Sequence, residues 1–178
     1  MAVGAVAVSA VVAGCDGGGE TAAPQTTVRD PDKIVVFNVC SQLSDEVLRG
    51  AGLDPATKRT LTDPPTGPST WRSCNWRPLD NRYGSGALRF DVFSTSHTLD
   101  ETRRKDSLVN VQETKVGNRP ALRFQEKNDS ESCYVAFEAE QGMFEVAAAS
   151  LRGGSPEVNG LCGSAIELSE NLEPHLPK

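Results

Sequence analysis

The sequence has few histidines and no closely spaced cysteines, the residues from which structural zinc sites are built. Its only histidines are His97 and His175, and its five cysteines include no Cys-x-x-Cys pair. A structural zinc ion needs four cysteine or histidine ligands, and short ligand spacings are typical of its sites. We therefore expect the chain to bind no metal.

Motifs for nucleotide binding and nucleophilic catalysis are also missing. No Gly-x-Ser-x-Gly elbow is present, and Gly84-Ser85-Gly86 has neither the third glycine nor the following helix of a dinucleotide-binding turn. We expect no cofactor and assign no catalytic residue. The net charge of −6 argues against a nucleic-acid partner, since such proteins need a basic face for the phosphates.

The N-terminus has no charged side chain in residues 1–14, and its apolar stretch is shorter than the roughly 20 residues that span a bilayer. The stretch ends in Val12-Ala13-Gly14-Cys15, as at the cleavage site of a lipoprotein signal peptide. We predict that residues 1–14 are removed and that Cys15 carries the lipid. The alternatives are a secretory signal with an incidental cysteine and a buried apolar strand. Positive charge normally precedes such a core, so we expect the natural start to lie upstream of Met1.

The residues that follow Cys15 predict a tether and one domain. Residues 16–33 are rich in glycine, threonine, alanine and proline and show no apolar periodicity, so they cannot offset the entropy lost on ordering. We predict a flexible tether over residues 15–33 and a single domain over residues 34–178. The protein would then lie on the extracytoplasmic face of the cell membrane.

The cysteine count agrees with export. With Cys15 reserved for lipid, four cysteines remain, and an exported chain enters an oxidising compartment where they can pair. Four cysteines allow three connectivities, and spacing alone does not choose among them. We prefer Cys40 with Cys74 and Cys133 with Cys162, because loop closure favours these bridges.

Helices are predicted near both ends of the domain. Ser44 followed by two acidic residues predicts a short helix that closes at Gly50 in the left-handed conformation. The charged residues 98–108 are also predicted to be helical. Ser155-Pro156-Glu157 is a start signal for an amphipathic C-terminal helix. The apolar stripe of that helix consists of Leu161, Ala165, Leu168 and Leu172.

Strands occupy the middle of the domain. Residues 133–139 and 143–149 read as two strands joined by a short turn, which requires an antiparallel hairpin. Residues 53–69 are dense in Pro, Thr and Asp and are interpreted as a loop. Three further strands are predicted over Trp71–Trp76, Leu88–Phe93 and Ala121–Phe124. The pattern predicts an α+β domain, an antiparallel sheet flanked by N- and C-terminal helices.

His97 is the better of the two histidines for catalysis, because hydroxyls, Asp100 and Glu101 lie near it in sequence. A hydrolase would need this imidazole beside a serine hydroxyl and a carboxylate. We instead interpret His97 as a surface residue and His175 as a solvated C-terminal residue.

Two other groups have both a functional and a structural interpretation. Arg103-Arg104-Lys105 could contact an anionic envelope polymer, but the acidic residues around it favour a solvated helix face. Five aromatic residues could line a groove for a lipid, glycan or peptide, but alternating strand positions favour a core. These aromatic residues are Trp71, Trp76, Tyr83, Phe90 and Phe93.

Several of these pieces, in this order, resemble the actinobacterial lipoproteins of domain-of-unknown-function family 3558 (DUF3558). They are Cys40 with Leu43 and the Ser44-Asp45-Glu46 helix start, Cys74-Asn75-Trp76, the turn at residues 116–121, Cys133 opening a strand, and Cys162. The resemblance covers about residues 31–177. It implies an exported, lipid-anchored α+β domain without an assigned activity. By analogy we expect a fold similar to the Mog1/PsbP group.

The expected function is a non-enzymatic module that is anchored by lipid and binds an unknown protein, glycan or lipid of the envelope. One alternative is an envelope hydrolase that uses His97 with a nearby serine and a carboxylate. The other alternative is a lipid carrier with an apolar cavity. A serine and a carboxylate in reach of His97, in a concave pocket, would favour the hydrolase.

Overall fold

A computed structural model of the chain describes Met1 and residues 29–64, 69–79, 83, 87–151 and 158–178. The strands are β1 (Leu53–Thr62), β2 (Trp71–Pro78), β3 (Leu88–Thr95), β4 (Leu108–Val116), β5 (Arg119–Glu126), β6 (Asp129–Ala139) and β7 (Gly142–Ser150). The helices are α1 (Val39–Gln42), α2 (Asp45–Gly50), α3 (Leu99–Arg103) and α4 (Val158–Leu172), with 3-10 turns at Pro31–Lys33 and Glu173–His175. Among the described residues, none of the helices has the length and apolar character needed to cross a bilayer.

The seven strands form one antiparallel sheet in the order β1-β2-β3-β7-β6-β5-β4. At its centre β3 pairs with β7 without a register shift, from Leu88 opposite Ser150 to Thr95 opposite Met143. Strands that follow one another along the chain pair as neighbours, except where β3 leads through α3 to the far edge at β4. The predicted α+β class, with an antiparallel sheet and helices near both ends, is confirmed.

The predicted hairpin is formed by β6 and β7, with Ala139 opposite Gly142. Gly142 has a φ of 151°, and a Cβ added there would lie 2.5 Å from the carbonyl oxygen of Thr95. Only glycine fits this close approach of two backbones. The hairpin can therefore lie this close to the end of β3 only because residue 142 is glycine.

One face of the sheet carries the main core. α4 packs on β6 and β7, and its predicted stripe is buried, since Ala165, Leu168 and Leu172 are all 0% exposed. Trp76 and Phe90 are also 0% exposed in the same cluster, which Tyr83 joins. These three aromatic residues are core residues, as the alternating pattern favoured.

Two disulfides fasten helices to this core face. Cys40 in α1 joins Cys74 in β2, and Cys133 in β6 joins Cys162 in α4, with separations of 34 and 29 residues. Their Cα atoms are 5.4 and 5.0 Å apart, within the range of unstrained bridges. This is the pairing that loop closure favoured.

The predicted loop over residues 53–69 is wrong for its first part, which forms β1. β1 is an edge strand that pairs only with β2, and most of its side chains are exposed. Pro55 falls where the register is interrupted between Asp54 and Arg59, so its missing N–H removes no ladder bond. An exposed edge strand needs no apolar alternation, which is why the pattern did not reveal it.

The predicted helix over residues 98–108 is also too long. α3 ends at Arg103 and is held at its start by a capping box between Thr98 and Glu101. Leu108 opens β4, the other edge strand, whose middle is exposed and, apart from Val111, polar. Charged residues are compatible with both an exposed helix and an exposed edge strand. Composition therefore did not show where the helix ends and the strand begins.

The N-terminal helix begins as expected, with the Ser44 hydroxyl accepting from the Val47 amide. Its closing glycine is Gly52, which has a φ of 86°, and Gly50 lies within α2. The predicted start at residues 155–157 lies outside the described residues. Arg29 already contacts the domain, because its guanidinium donates to the carbonyl oxygens of Ser96 and Gln141.

The predicted signal peptide and the lipid-bearing Cys15 lie outside the described residues. The boundaries proposed for the tether and the domain, 15–33 and 34–178, stay predictions. Residues 29–33 are described, and they include the short 3-10 turn Pro31–Lys33.

Candidate functional site

The sheet face opposite α4 carries polar side chains at its centre. We call it the open face and define it by Ser73, Asn75, Asp91, Tyr134 and Glu145. The strand register places these residues on one side, since Asn75 pairs with Asp91, and both Asp91 and Tyr134 pair with Ala147. Over the β4 to β6 side α3 covers this face with a small apolar cluster. Among the described helices, α3 alone packs there.

Glu145 is a buried carboxyl at the centre of the open face. It is 7% exposed and lies opposite Phe93 in β3 and Ala136 in β6. Within the described ranges its side chain has no hydrogen bond and no ion pair. Burial raises the pKa of Glu145 to about 7, against a smaller opposing effect of Lys105. A carboxyl that titrates near neutrality is a candidate for a functional role.

Asp91 and Arg89 form a charged pair on β3, two residues apart on the same face. The Arg89 Nε and Nη2 atoms donate to the two carboxylate oxygens of Asp91, each at 2.8 Å. This fork holds the guanidinium in one orientation and raises the pKa of Arg89. Asp91 is only 6% exposed, so the pair lies at the floor of the face.

Tyr134 adds an oriented phenol. Its hydroxyl donates to Asp129 Oδ2 at 2.8 Å, and its ring stacks on Phe124 with centroids 5.4 Å apart. Burial raises the pKa of the phenol, so Tyr134 stays protonated at neutral pH.

A cavity of about 320 Å³ opens where β1, β2 and β3 meet. Its polar lining includes three guanidinium groups, those of Arg59, Arg77 and Arg89, together with the side chains of Thr57 and Asn75.

His97 lies at the end of β3 beside α3, and its side chain is 38% exposed. Its Nδ1 is 3.4 Å from Glu101 Oε2, and its ring lies 5.7 Å from the Trp71 ring. The neighbouring Ser96 hydroxyl is buried without a hydrogen-bond partner. Within the described part of the chain, no serine hydroxyl is hydrogen-bonded to His97. Asp100 pairs with Arg103 instead.

A second cavity of about 730 Å³ lies at the turn between β6 and β7, and its lining includes Thr98, Asp100, Glu138 and Lys178. Arg119 also lines it, but this guanidinium is occupied. It donates to Glu173 Oε1 at 2.8 Å and to the carbonyl oxygens of residues 176 and 177 at 2.9 and 2.7 Å. We interpret Arg119 as the residue that fastens the C-terminus to the sheet.

The remaining residues that the sequence offered as functional candidates pack against or pair with other residues, or are exposed to solvent. Arg103 pairs with Asp100 and Glu113, as on a solvated helix, while Lys105 lies 5.9 Å from the centroid of Trp71. Trp71 and Phe93 pack edge to face with centroids 6.1 Å apart and are half-buried on the open face. His175 is exposed in the 3-10 turn after α4. Within the described ranges, no three candidate metal ligands come together.

Sequence reasoning missed the polar residues of the open face. One signal was available: Glu145 interrupts the apolar run Met143-Phe144-Glu145-Val146-Ala147. A charge within such a run faces either solvent or a site, and periodicity does not distinguish the two. The three cavity arginines come from separate strands and had no common pattern along the chain.

Comparison with known proteins identifies a family. Residues 10–175 match the family model described as "Protein of unknown function (DUF3558)". No curated protein and no solved structure matches the chain. The expected likeness to the Mog1/PsbP group therefore stays a prediction.

Proposed function

Since the chain belongs to the DUF3558 family, a family of unknown function, membership supplies no activity, and we propose a function from the geometry. The protein is an exported, lipid-anchored module of the cell envelope. It binds an envelope ligand through the open face and catalyses no reaction.

The disulfides support export. Disulfides persist in oxidising compartments and are rare in the cytosol, and this domain has two. They use four of the five cysteines and leave Cys15, in the Val12-Ala13-Gly14-Cys15 box, for lipid. The anchor would hold the domain on the extracytoplasmic face of the membrane.

The buried polar groups of the open face carry the proposal of binding. Asn75, Asp91 and Glu145 are each no more than 7% exposed, yet neither Asn75 nor Glu145 has a side-chain partner among the described residues. Their polar atoms are not among the fully buried, unpartnered ones of the described residues, which belong to Trp76 and Ser96, so a ligand can reach them. Such groups are retained where a ligand uses them, whereas apolar side chains would make a more stable sheet.

Binding accounts for the site better than hydrolysis does. His97 is paired with Glu101 and packs near Trp71, and among the described residues no serine hydroxyl is hydrogen-bonded to it. The polar side chains of the open face come from several neighbouring strands, so an extended ligand lying across the sheet can contact more than one of them.

Site-specific photo-crosslinking in the native envelope tests the proposal. A crosslinking side chain in place of half-buried Phe93 reports on the open face, and one in place of exposed Glu167 on α4 is the matched control. We expect a discrete adduct from position 93 and none from position 167. Equal adducts from both positions, or adducts from position 167 alone, would contradict a ligand site on the open face.

A further inference from the structure

We propose that Arg59, Arg77 and Arg89 form a site for a phosphate group, and that the natural ligand of the open face carries this group. The proposal rests on the proposed binding function and names the chemistry of the ligand. The phosphate belongs either to a membrane lipid headgroup or to a soluble phosphate ester.

The strand register brings the three arginines to the same side of the sheet, around one cavity. Arg59 on β1 pairs with Asn75 on β2. Arg77 on β2 follows Trp76, and Arg89 on β3 precedes Phe90, the residue with which Trp76 pairs. Like charges close together on one sheet face repel each other. An anion held among them would reduce this repulsion.

The cavity has positive charge that the protein does not neutralise. Arg89 is paired with Asp91. The side chains of Arg59 and Arg77 are exposed, and neither forms an ion pair or a hydrogen bond within the described ranges. Two of the three charges are therefore available to a ligand.

Asn75 provides an independent indication of a ligand. Its side chain is 6% exposed, lines the cavity and has no hydrogen-bond partner among the described residues. Among the described residues, the polar atoms that are fully buried without a partner belong to Trp76 and Ser96, so the Asn75 amide stays open to the cavity. Its NH₂ group can donate to an oxygen that lies between the flanking arginines.

The size of the cavity and the type of cation favour phosphate. Guanidinium groups bind phosphate through two parallel hydrogen bonds, which a lysine does not provide. The 320 Å³ volume is at the lower end of small-molecule sites, which span about 300–1,000 Å³. The edge of the site is ordered, because the Thr57 hydroxyl accepts from the Arg77 amide at 2.9 Å and donates to the Asp54 carbonyl oxygen at 2.7 Å.

The test measures phosphate binding by the exported full chain carrying Cys15→Ser, so that no lipid anchor contributes. One arm titrates inorganic phosphate by calorimetry. The other uses vesicles of equal parts phosphatidylcholine and phosphatidylglycerol, against vesicles of phosphatidylcholine alone. Arg77→Gln removes a site charge, and Arg104→Gln removes the same charge from an exposed position outside the cavity.

We expect Arg77→Gln to weaken binding by about tenfold or more, since charged hydrogen bonds are lost, and Arg104→Gln to bind like the parent chain. Binding of inorganic phosphate assigns a soluble ester, and binding of the anionic vesicles alone assigns a lipid headgroup. Should Arg77→Gln fail to fold, Arg59→Gln on the edge strand replaces it.

No binding in either arm, or equal losses in the Arg77 and Arg104 variants, would overturn the phosphate site. These results are distinguishable from failure of the proposed function. A discrete adduct from position 93 together with unchanged binding in Arg77→Gln would leave the open face as the ligand site and exclude its phosphate pocket.

Discussion

At the scale of single residues, Glu145 on the open face makes the stability of the fold depend on pH. Its pKa is about 7 in the folded chain and 4.5 without burial, so folding favours the protonated carboxyl. The stability that this proton provides is fully present below pH 4.5 and is lost as the pH rises to about 7. A difference of this size corresponds to about 3 kcal/mol.

Glu145→Gln should therefore be more stable than the parent chain at pH 8, and the two should converge towards pH 5. Urea unfolding at several pH values measures this difference. Other carboxyls act in the opposite direction, since hydrogen bonds from Lys178 and Arg119 lower the pKa of Glu173. The difference between the unfolding free energies of the two chains at each pH removes the contributions of these other carboxyls. A difference that does not change with pH would show that Glu145 is not the titrating group.

His97→Ala is expected to leave folding and function nearly unchanged. The partly exposed His97–Glu101 pair is of a kind that contributes at most about 1 kcal/mol, and the ring only borders Trp71. Thermal unfolding and complementation of a deletion strain would measure both properties. A variant that folds normally but does not complement would favour the hydrolase.

At the scale of elements, the β6–β7 hairpin depends on Gly142. Gly142→Ala places a methyl group 2.5 Å from the Thr95 carbonyl oxygen, so β7 must shift away from the end of β3. We expect a loss of more than about 1 kcal/mol, measured by urea unfolding. Gly163→Ala in α4 is the control, because its added methyl meets nothing within 4 Å and should stabilise the helix by about 1 kcal/mol. Equal effects at the two positions would contradict this account.

The disulfides act between elements, since each joins a helix to a strand. Replacing Cys133 and Cys162 together by serine releases α4 from β6, and the entropy of the opened loop predicts a loss of about 3.5 kcal/mol or less. Replacing Cys40 and Cys74 should give a loss of similar size, because the two loops are of similar length. Chemical unfolding and non-reducing peptide mapping provide the measurement. A peptide joining Cys40 to Cys133 or Cys162 would contradict the pairing.

At the scale of the whole molecule, the anchor and the domain should be separable. Cys15→Ala is expected to release or mislocalise the protein without changing its unfolding temperature, because Cys15 precedes Arg29, the earliest residue that contacts the domain in the described part of the chain. Fractionation, intact mass and a thermal melt test this. An unmodified cysteine in the membrane fraction, or cleavage elsewhere, would contradict the lipid anchor.

The sequence by itself determined the elements whose partners lie close along the chain. The β6–β7 hairpin followed from two apolar runs and a short turn, and the buried face of α4 followed from its stripe. The favoured disulfides likewise close the shorter loops. In each case a pattern that can be read along the chain carries the information: the short turn for the hairpin, the helical period of the stripe for α4, and the separation of the cysteines for the disulfides.

Only the tertiary structure decided the edge strands and the open face. β1 and β4 are strands because a neighbour supplies their hydrogen bonds, and their exposed side chains leave no apolar alternation in the sequence. Arg59, Arg77 and Arg89 line one cavity because their three strands are neighbours in the sheet. Glu145 has a raised pKa because the sheet and its neighbours remove water from the carboxyl. Such properties depend on contacts between distant parts of the chain, and these contacts exist only once the sheet has formed.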